Sequence, residues 1–321
     1  MIGGAQKRIG GLSQSAVFSD SSSYQSFCLI SAFLGIIGHS LNGVYFIYIL
    51  GETHLETGSY SFDGFTESHK ELERLKQQAQ QIEPFETSLL QAAGLKPGMK
   101  ALDVGCGPGV VSCLMARMVG DDGDVLGVDA SDDLMGVAEQ MGQAAGVNNL
   151  SFQKADIYQL DLPENSFDFA YSRLVFQHLT DPQSALKKLL GVLKPGGILC
   201  VADIDDDWLS IEPEPAAFRT LIDRSTRVQA GQGGDRFIGH KLGAYMESAG
   251  FNDVDVHVMP ITSKMMGMKN FLDIGLGFRA FATSNDEEHE VAKRELQTLS
   301  ELSHRPGSWG FLAIFASMGK K

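Results

Sequence analysis

The chain has 321 residues, of which 43% are apolar and 21% are charged, so it can bury at least one complete hydrophobic core. Its formal net charge of −14 and the lack of a Lys/Arg-rich run argue against nucleic-acid binding, because contacts to phosphates need clustered cations. The four cysteines have neither paired nor metal-ligand spacing, so we expect reduced thiols in a cytoplasmic protein and no metal site.

Residues 1–57 form a predicted N-terminal extension with one long apolar segment. This segment, residues 27–50, is long enough to cross a bilayer as a helix, and Lys7 and Arg8 would favour a cytoplasmic N-terminus. Serine, histidine and asparagine side chains interrupt it, which makes a membrane span costly. Three interpretations stay open: a membrane anchor, an amphiphilic helix lying on the membrane or on the domain, and sequence added by an upstream start codon.

Residues 58–321 form the predicted main domain, which begins with two helices. Apolar residues recur at helical spacing from Leu72 to Ile82, and Pro84 begins a second helix that ends at Gly94. Strands then alternate with helices, one of them capped by Asp181. Five strands within about 100 residues predict a parallel sheet covered by helices on both faces. The predicted strands are residues 100–104, 125–128, 150–154, 167–171 and 198–203.

Two further strands are predicted near the end of the chain, at residues 253–261 and 310–318. Between them, residues 262–306 are predicted to form a mainly helical insertion that is rich in methionine and phenylalanine. Such an insertion either covers the sheet edge with core residues or forms a lid that presents an adaptable apolar wall to a bound molecule.

A glycine-rich loop follows the first strand in the stretch "LDVGCGPG", residues 102–109. A dinucleotide fingerprint reads G-x-G-x-x-G, and the third glycine is missing here. Asp103 lies two residues before Gly105, where its charge would repel a pyrophosphate. The same carboxylate could hold the ammonium group of an amino acid by a charge-assisted hydrogen bond. The loop therefore favours S-adenosylmethionine over a nicotinamide dinucleotide.

Acidic residues also follow the second and third strands. Asp129 ends the second strand, where a carboxylate accepts ribose hydroxyls in both kinds of site. Asp156 is placed to accept an adenine amino group, or is an ordinary loop acid, and Ile157 and Leu134 could sandwich the ring. Taken together, these residues predict a site for S-adenosylmethionine.

The chain from about residue 58 onward resembles the class I S-adenosylmethionine-dependent methyltransferases of the small-molecule type. The matching motifs are "LDVGCGPG", "VLGVDAS", "KADI", "FDFAYSRLVFQHLTDP" and "LKPGGILCVADID". The resemblance implies an α/β, Rossmann-like, doubly wound sheet of seven strands in the order 3-2-1-4-5-7-6, with strand 7 antiparallel. It further implies an N-terminal helical cap, a helical lid at about residues 262–306 between strands 6 and 7, and S-adenosyl-L-methionine as the cofactor.

The resemblance also implies a set of cofactor contacts. Those for the methionine part are Asp103, Gly105, Cys106, Gly107 and Gly109. Those for the ribose and adenine are Asp129, Ala130, Leu134, Ala155, Asp156 and Ile157. Ser172 and Arg173 would lie beside the cofactor, and Arg74 and Gln78 of the helical cap are candidate contacts with its carboxylate.

Methyl transfer by in-line displacement needs alignment of donor and acceptor and, for oxygen or nitrogen acceptors, removal of a proton. His178 is the candidate base, although a histidine at this position can simply pack or bond the loop backbone; His240 and Tyr60 are further candidates. The acidic run at residues 205–207 is expected to be a solvated loop, or else a site for a divalent ion or a cationic substrate.

We expect the acceptor to be an apolar or aromatic small molecule, a lipophilic one if residues 27–50 are an anchor. Methylation of oxygen, nitrogen or carbon and the oligomeric state stay open. Two alternatives are a non-catalytic S-adenosylmethionine-binding module and, disfavoured by Asp103, a nicotinamide-dependent dehydrogenase.

Overall fold

A computed structural model of the chain describes residues 15–18, 36–41, 44–49, 83–280 and 282–321. The chain divides into two compact units, Met1–Thr57 and Gly58–Lys321. In the first unit, three strands form an antiparallel sheet in the order β1-β3-β2. They are β1 (Ser15–Phe18), β2 (Ile36–Leu41) and β3 (Val44–Ile49).

Two of the three interpretations of residues 27–50, a membrane anchor and a surface helix, would make this segment helical, but the structure has strands in the parts of it that are described. Residues 36–41 and 44–49 are strands, and "VYFIYI" in β3 has the β-branched and aromatic residues that favour strands. The rest of the segment lies outside the described residues. Within the described part of the chain, no helix combines the length and apolar character needed to cross a membrane.

The second unit is built on an eight-stranded sheet in the order β10-β11-β8-β7-β4-β5-β6, with β9 paired to β11. Its strands are β4 (Lys100–Val104), β5 (Asp124–Asp129), β6 (Leu150–Lys154), β7 (Phe167–Arg173), β8 (Leu193–Ile204), β9 (Ser210–Glu212), β10 (Asn252–Thr262) and β11 (Trp309–Lys320). Strands β4 to β8 run parallel to one another, and β11 is antiparallel to both β8 and β10. The predicted order and the antiparallel strand are confirmed, and β9 is a short addition.

Helices connect these strands, and their ends follow the sequence signals. They are α1 (residues 83–92), α2 (Val110–Val119), α3 (Asp132–Ala145), α4 (Pro182–Val192), α5 (Ala216–Gly231), α6 (Leu242–Ala249), α7 (Ser263–Met266), α8 (Met268–Leu276) and α9 (Asp286–Ser300). The Asp181 carboxylate accepts the Ser184 N–H at 3.0 Å, so it caps α4 as predicted. Gly250 ends α6 with a φ of 104°.

The largest boundary difference is at the fifth parallel strand, which was predicted to begin at residue 198, whereas β8 begins at Leu193. Phe167 pairs with Leu193 and Phe169 pairs with Ile198, so residues 194–197 bulge out of the strand. Gly196 in this bulge has a φ of 79°, which only glycine adopts without strain.

Hydrophobic clusters on the two faces of the sheet hold it together. Leu89 of α1 and Met115 of α2 pack on one face with Phe169 of β7. Leu186 of α4 and Met246 of α6 pack on the other face. Because both faces are buried, the strands read as nearly continuous apolar runs, and polar side chains gather at the strand ends.

The insertion between β10 and β11 is helical, as predicted, and has its own core. Phe271 and Leu276 of α8 are fully buried in a third cluster with Phe218 and Leu221 of α5. The apolar side chains that suggested a wall facing a bound molecule are therefore largely used for packing inside the insertion. Met265 differs, because 45% of it is exposed.

Candidate cofactor-binding site

The glycine loop lies between β4 and α2 at the carboxyl edge of the parallel strands. Gly105, Gly107 and Gly109 have φ values of 69°, 54° and 78°, which other residues rarely adopt. A Cβ atom on Gly105 would lie 2.3 Å from Cγ2 of Val175. The loop therefore needs glycine for its backbone conformation and, at Gly105, also for space.

Asp103 is buried at the end of β4, where it is 2% exposed. The Ser112 hydroxyl at the start of α2 donates to its Oδ2 at 2.5 Å. Burial raises the pKa of Asp103 to about 7, and the nearby Glu86 and Asp129 carboxylates also raise it. A carboxyl group in this state gains most from a ligand that brings its own positive charge.

Asp129 and Ala130 lie at the end of β5. The Asp129 carboxylate accepts the Gly107 N–H at 2.9 Å and the Ser131 N–H at 3.0 Å. Burial raises its pKa, and these bonds to the charged form oppose that rise. Ala130 is exposed. Asp129 thus joins the glycine loop to the start of α3.

The predicted adenine contacts lie on the segments after β5 and β6. Leu134 in α3 is 2% exposed and Ile157 is 9% exposed, while Ala155 is partly buried. The Asp156 carboxylate accepts the Tyr158 N–H at 2.9 Å and thereby caps a short helical turn. Asp156 therefore has a local structural role in addition to any contact with a ligand.

Cys106 is buried beneath the loop against Met135 and Ala138. Cys106, Cys113 and Cys200 are free thiols, and burial raises the pKa of each. They are therefore protonated and act as apolar packing groups.

At the end of β7, Ser172 and Arg173 point to opposite faces of the sheet, because successive strand side chains alternate. The Ser172 hydroxyl donates to the Val104 carbonyl at 3.0 Å and joins β7 to β4. Arg173 Nε lies 3.2 Å from an oxygen of Glu86. The Tyr171 hydroxyl donates to the other Glu86 oxygen.

Glu86 and Tyr171 were missed by the sequence analysis. Glu86 is 4% exposed and lies on the buried face of α1 with Leu89, Leu90 and Ala93, at helical spacing. An acid among apolar residues on one helix face was the available signal. Arg74, Gln78 and Tyr60 lie outside the described residues.

His178 follows β7 in a short helical turn, and its Nδ1 lies 3.4 Å from the Gln229 amide nitrogen. Burial, together with the positive charge of Arg236, lowers the pKa of His178 to about 3. The imidazole is therefore neutral near pH 7 and is a weak base, which favours the interpretation that it packs and bonds locally.

The acidic run after β8 is not the solvated loop that was expected. Asp205 and Asp206 are 2% and 7% exposed, and Asp207 is exposed. Asp205 accepts from the His240 backbone at 3.1 Å and lies 2.5 Å from His240 Nδ1. The cations that neutralise this run come from distant parts of the chain.

Asp206 is the centre of a buried ion cluster that sequence reasoning also missed. Arg236 approaches it at 3.0 Å and Arg279 at 2.7 Å, and both arginines flank the Phe278 ring. Arg279 is completely buried and also donates to the Ser225 hydroxyl at 2.6 Å. These contacts fasten the insertion to α5 and to the loop after β8.

Three carboxyl groups, those of Asp103, Glu86 and Asp129, therefore lie near one another at the glycine-loop edge. Among the described groups whose charge shifts the pKa of Asp103, Arg173 is the one cation. This excess of carboxylates fits a sulfonium and an ammonium group, and it opposes a pyrophosphate. In the described part of the chain, this edge included, no group of three or more acidic, histidine or cysteine side chains is arranged to hold a metal ion.

Residues 95–242 match the family described as "Methyltransferase domain". This stretch includes the glycine loop, the acidic strand ends and strands β4 to β8. Residues 95–242 of the chain are therefore a methyltransferase domain.

Two curated relatives of the methyltransferase domain show how far the similarity reaches. An uncharacterized 37.1 kDa protein in transposon TN4556 of Streptomyces fradiae is 33% identical over 184 residues, 56% of this chain and 50% of that protein. A ubiquinone/menaquinone biosynthesis C-methyltransferase of Shewanella sediminis is 34% identical over 135 residues, 42% of this chain and 51% of that enzyme. The chain thus spans about half the length of these relatives.

The fold of the methyltransferase domain also occurs in solved structures. Phosphoethanolamine N-methyltransferase 2 of Haemonchus contortus, in complex with S-adenosyl-L-methionine, aligns with a TM-score of 0.54. The alignment covers 96% of this chain and 77% of that chain at 16% identity. At this identity the likeness establishes the fold alone.

Proposed function

We propose that this protein transfers a methyl group from S-adenosylmethionine to a small-molecule acceptor. The observation that carries the proposal is Asp103, a buried carboxyl group with a pKa of about 7 beside two further carboxylates. A cationic amino-acid head relieves the electrostatic cost of this arrangement, and a pyrophosphate would increase it.

The proposed binding mode uses the carboxyl edges of β4, β5 and β6 in turn. Asp103 holds the ammonium group, and the left-handed glycines let the loop backbone approach the methionine part closely. Asp129 accepts the ribose hydroxyls, with Ala130 beside it. The adenine lies between Leu134 and Ile157, which are both buried apolar side chains.

S-adenosylmethionine supplies a methyl group on a positively charged sulfur, which is already a good leaving group. A nucleophilic acceptor atom takes the methyl group in line and S-adenosylhomocysteine departs; an oxygen or nitrogen acceptor also gives up its proton. The protein therefore needs chiefly to align the two molecules and to exclude water. We propose that the insertion, residues 262–306, is the lid that does this, since Arg279 fastens it to the loop after β8.

The acceptor is proposed to be a small molecule, with the apolar aromatic class as the first to examine. Phe271 and Leu272 pack inside the insertion, which weakens the argument that they form an apolar wall for the acceptor. Met265 is exposed and could still contribute to such a wall. The relative from Shewanella sediminis, named for ubiquinone and menaquinone biosynthesis, supports a lipophilic aromatic acceptor. Phenols and quinols therefore come before amines in a screen.

The activity is tested by mass-spectrometric detection of S-adenosylhomocysteine after the full chain is incubated with S-adenosylmethionine and an acceptor panel of phenols, quinols and amines. We expect acceptor-dependent formation of S-adenosylhomocysteine with at least one phenol or quinol, and none with the Asp103→Asn variant. Tight binding of S-adenosylmethionine without turnover on any member of the panel would instead favour the non-catalytic binding module.

A further inference from the structure

The large apolar side chains that remain exposed gather at one end of the sheet. Among the described residues these are Trp208, Val256, Val258, Met265 and Trp309, each between 40% and 46% exposed. They lie on β10, on β11 or on segments directly beside these two strands. Soluble monomers rarely expose large apolar side chains together in this way, so the group indicates a surface that binds a partner.

Four of these side chains lie on the same face of the sheet. Val258 pairs with Phe315 across β10 and β11, and paired residues of antiparallel strands point to the same side. The Trp208 ring packs edge-on against the Phe315 ring, with their centroids 5.6 Å apart. Val256 and Trp309 share this face because they are separated from Val258 and Phe315 by an even number of residues. We call Trp208, Val256, Val258 and Trp309 the β10 patch.

β10 is an edge strand, and its outer side has no strand partner among the described residues. It is 11 residues long, so it presents a row of backbone N–H and C=O groups that another strand could pair with. An exposed edge next to an exposed apolar face suits a partner that adds a strand to the sheet.

The sequence of β10 is complementary to itself when two copies run antiparallel about Val256. In that register Val256 lies opposite its own counterpart, and Val254 lies opposite Val258. Asp255 lies opposite His257, and both side chains are exposed, by 72% and 46%. Within one copy His257 Nε2 already lies 3.0 Å from Asp255 Oδ2. Two-fold pairing therefore places two carboxylates and two imidazoles alternately around the axis, and an imidazole can donate a hydrogen bond to a carboxylate.

The charges around the β10 patch favour a protein partner over a lipid surface. Asp207, Glu212 and Asp255 are exposed beside it, and they would repel the anionic lipids of a membrane surface. In the two-fold register Asp255 instead gains an imidazole from the other copy.

We propose that the β10 edge and the β10 patch bind a second copy of this chain, by antiparallel pairing of the two β10 strands about a two-fold axis at Val256. Each sheet then continues into the other through main-chain hydrogen bonds. The two β10 patches adjoin across the axis, so the valine side chains beside it are removed from water.

Cysteine cross-linking of the full chain tests the register. Residues opposite one another in an antiparallel pair have Cα atoms about 4.5–5.5 Å apart, which a disulfide can bridge. We expect Val256→Cys to form an intermolecular disulfide on mild oxidation, seen as a dimer band in electrophoresis without reductant. Val258→Cys is the matched control, because its two copies would lie about 13 Å apart and should not be linked. The wild-type chain, in which Cys106, Cys113 and Cys200 are buried, gives the background.

Charge substitutions test the same pairing by sedimentation velocity. His257→Asp places carboxylates opposite each other, so we expect it to weaken the dimer at least about 10-fold. The double variant Asp255→His/His257→Asp exchanges the two residues and restores the pairing of unlike groups, so its affinity should return to within about 3-fold of wild type. Lys293→Gln, an exposed change on α9 that also makes the net charge more negative, should leave the affinity unchanged.

Three results would overturn the proposal. One is a wild-type chain that stays monomeric at about 100 µM, whether or not it binds phosphatidylcholine vesicles. Another is a dimer that His257→Asp does not weaken. The third is equal cross-linking of the two cysteine variants, because two copies would then meet at another surface or in another register.

Discussion

Asp103 is the residue at which binding and stability oppose each other. It is 2% exposed, and burial raises its pKa to about 7 from the ordinary value of 3.8. Among the described side chains, that of Ser112 donates a hydrogen bond to its carboxyl group. A buried carboxylate with so little compensation is costly in the empty protein, and such cost is typical of groups retained for a ligand.

Asp103→Asn should therefore stabilise the empty protein at alkaline pH and abolish cofactor binding. Because the folded pKa is raised, the contribution of Asp103 to stability is present in full below about pH 4 and is lost as the pH rises through about 7. We expect the variant to unfold with a free energy higher by about 1–3 kcal/mol at pH 8, with little difference at pH 4. Urea unfolding at both pH values measures this.

Asp168→Asn is the matched control, because Lys194 lowers the pKa of Asp168 and its contribution has the opposite sign. This variant should be less stable than wild type at pH 8. An Asp103→Asn variant that is destabilised equally at both pH values would show that the carboxylate is structural.

His178→Ala tests the candidate base. Since the pKa of His178 is about 3, its imidazole is a weak proton acceptor, and we expect kcat to fall by less than about 10-fold with S-adenosylhomocysteine affinity unchanged. Steady-state kinetics with an identified acceptor measures the effect. A loss of about 100-fold or more in kcat, with binding preserved, would restore the general-base assignment.

At the scale of elements, the loop between β4 and α2 depends on glycine for two different reasons. Gly105 and Gly107 both have left-handed backbones, but only at Gly105 does a Cβ atom meet a side chain, that of Val175 at 2.3 Å. Gly107→Ala should cost about 1 kcal/mol from backbone strain, and Gly105→Ala at least about 3 kcal/mol because overlap is added. Urea denaturation of the two variants compares them, and equal losses would mean that Val175 moves aside freely.

The insertion is held at its base by charges as well as by apolar contacts. Asp206 is buried between Arg236 and Arg279, and the two arginines keep its pKa below the usual value. Asp206→Asn would leave two buried cations without their anion, so we expect a loss of about 3–5 kcal/mol near neutral pH. This contribution is present above the ordinary aspartate pKa and declines as the pH falls below about 4.

Glu214→Gln provides the comparison, because it removes an exposed ion pair with Arg219 and should cost at most about 1 kcal/mol. Thermal and urea unfolding at pH 7 rank the two variants. If Asp206→Asn were no worse than Glu214→Gln, the arginine cluster would contribute nothing to the attachment of the insertion.

At the scale of the whole molecule, periodic elements could be predicted from the sequence. β4 and β6 have the predicted bounds, because apolar runs and the turns beside them mark these strands locally. Their order in the sheet came from the family resemblance. The fifth parallel strand was predicted to begin only at residue 198, because Pro195 and the two glycines after it have the local signature of a turn, whereas the structure places them in a bulge of β8.

The parts of the site that were missed depend on contacts between distant residues. Tyr171 and Glu86 are 85 positions apart, and Arg279 and Asp206 are 73 apart. A local pattern shows which residues are charged but not which charge will neutralise them. For that reason Asp103 was recognised next to its glycine loop, whereas the acidic run containing Asp205 and Asp206 was mistaken for a solvated loop.

The central claim is that the acidic edge of this sheet binds an amino-acid sulfonium and not a dinucleotide. Calorimetric titration of the full chain with S-adenosylhomocysteine, NADH and NADPH in parallel tests it most directly. We predict binding of S-adenosylhomocysteine alone, with an affinity that falls as the pH is lowered through about 7, where Asp103 becomes protonated. Binding of a nicotinamide nucleotide, or the absence of S-adenosylhomocysteine binding, would contradict the account.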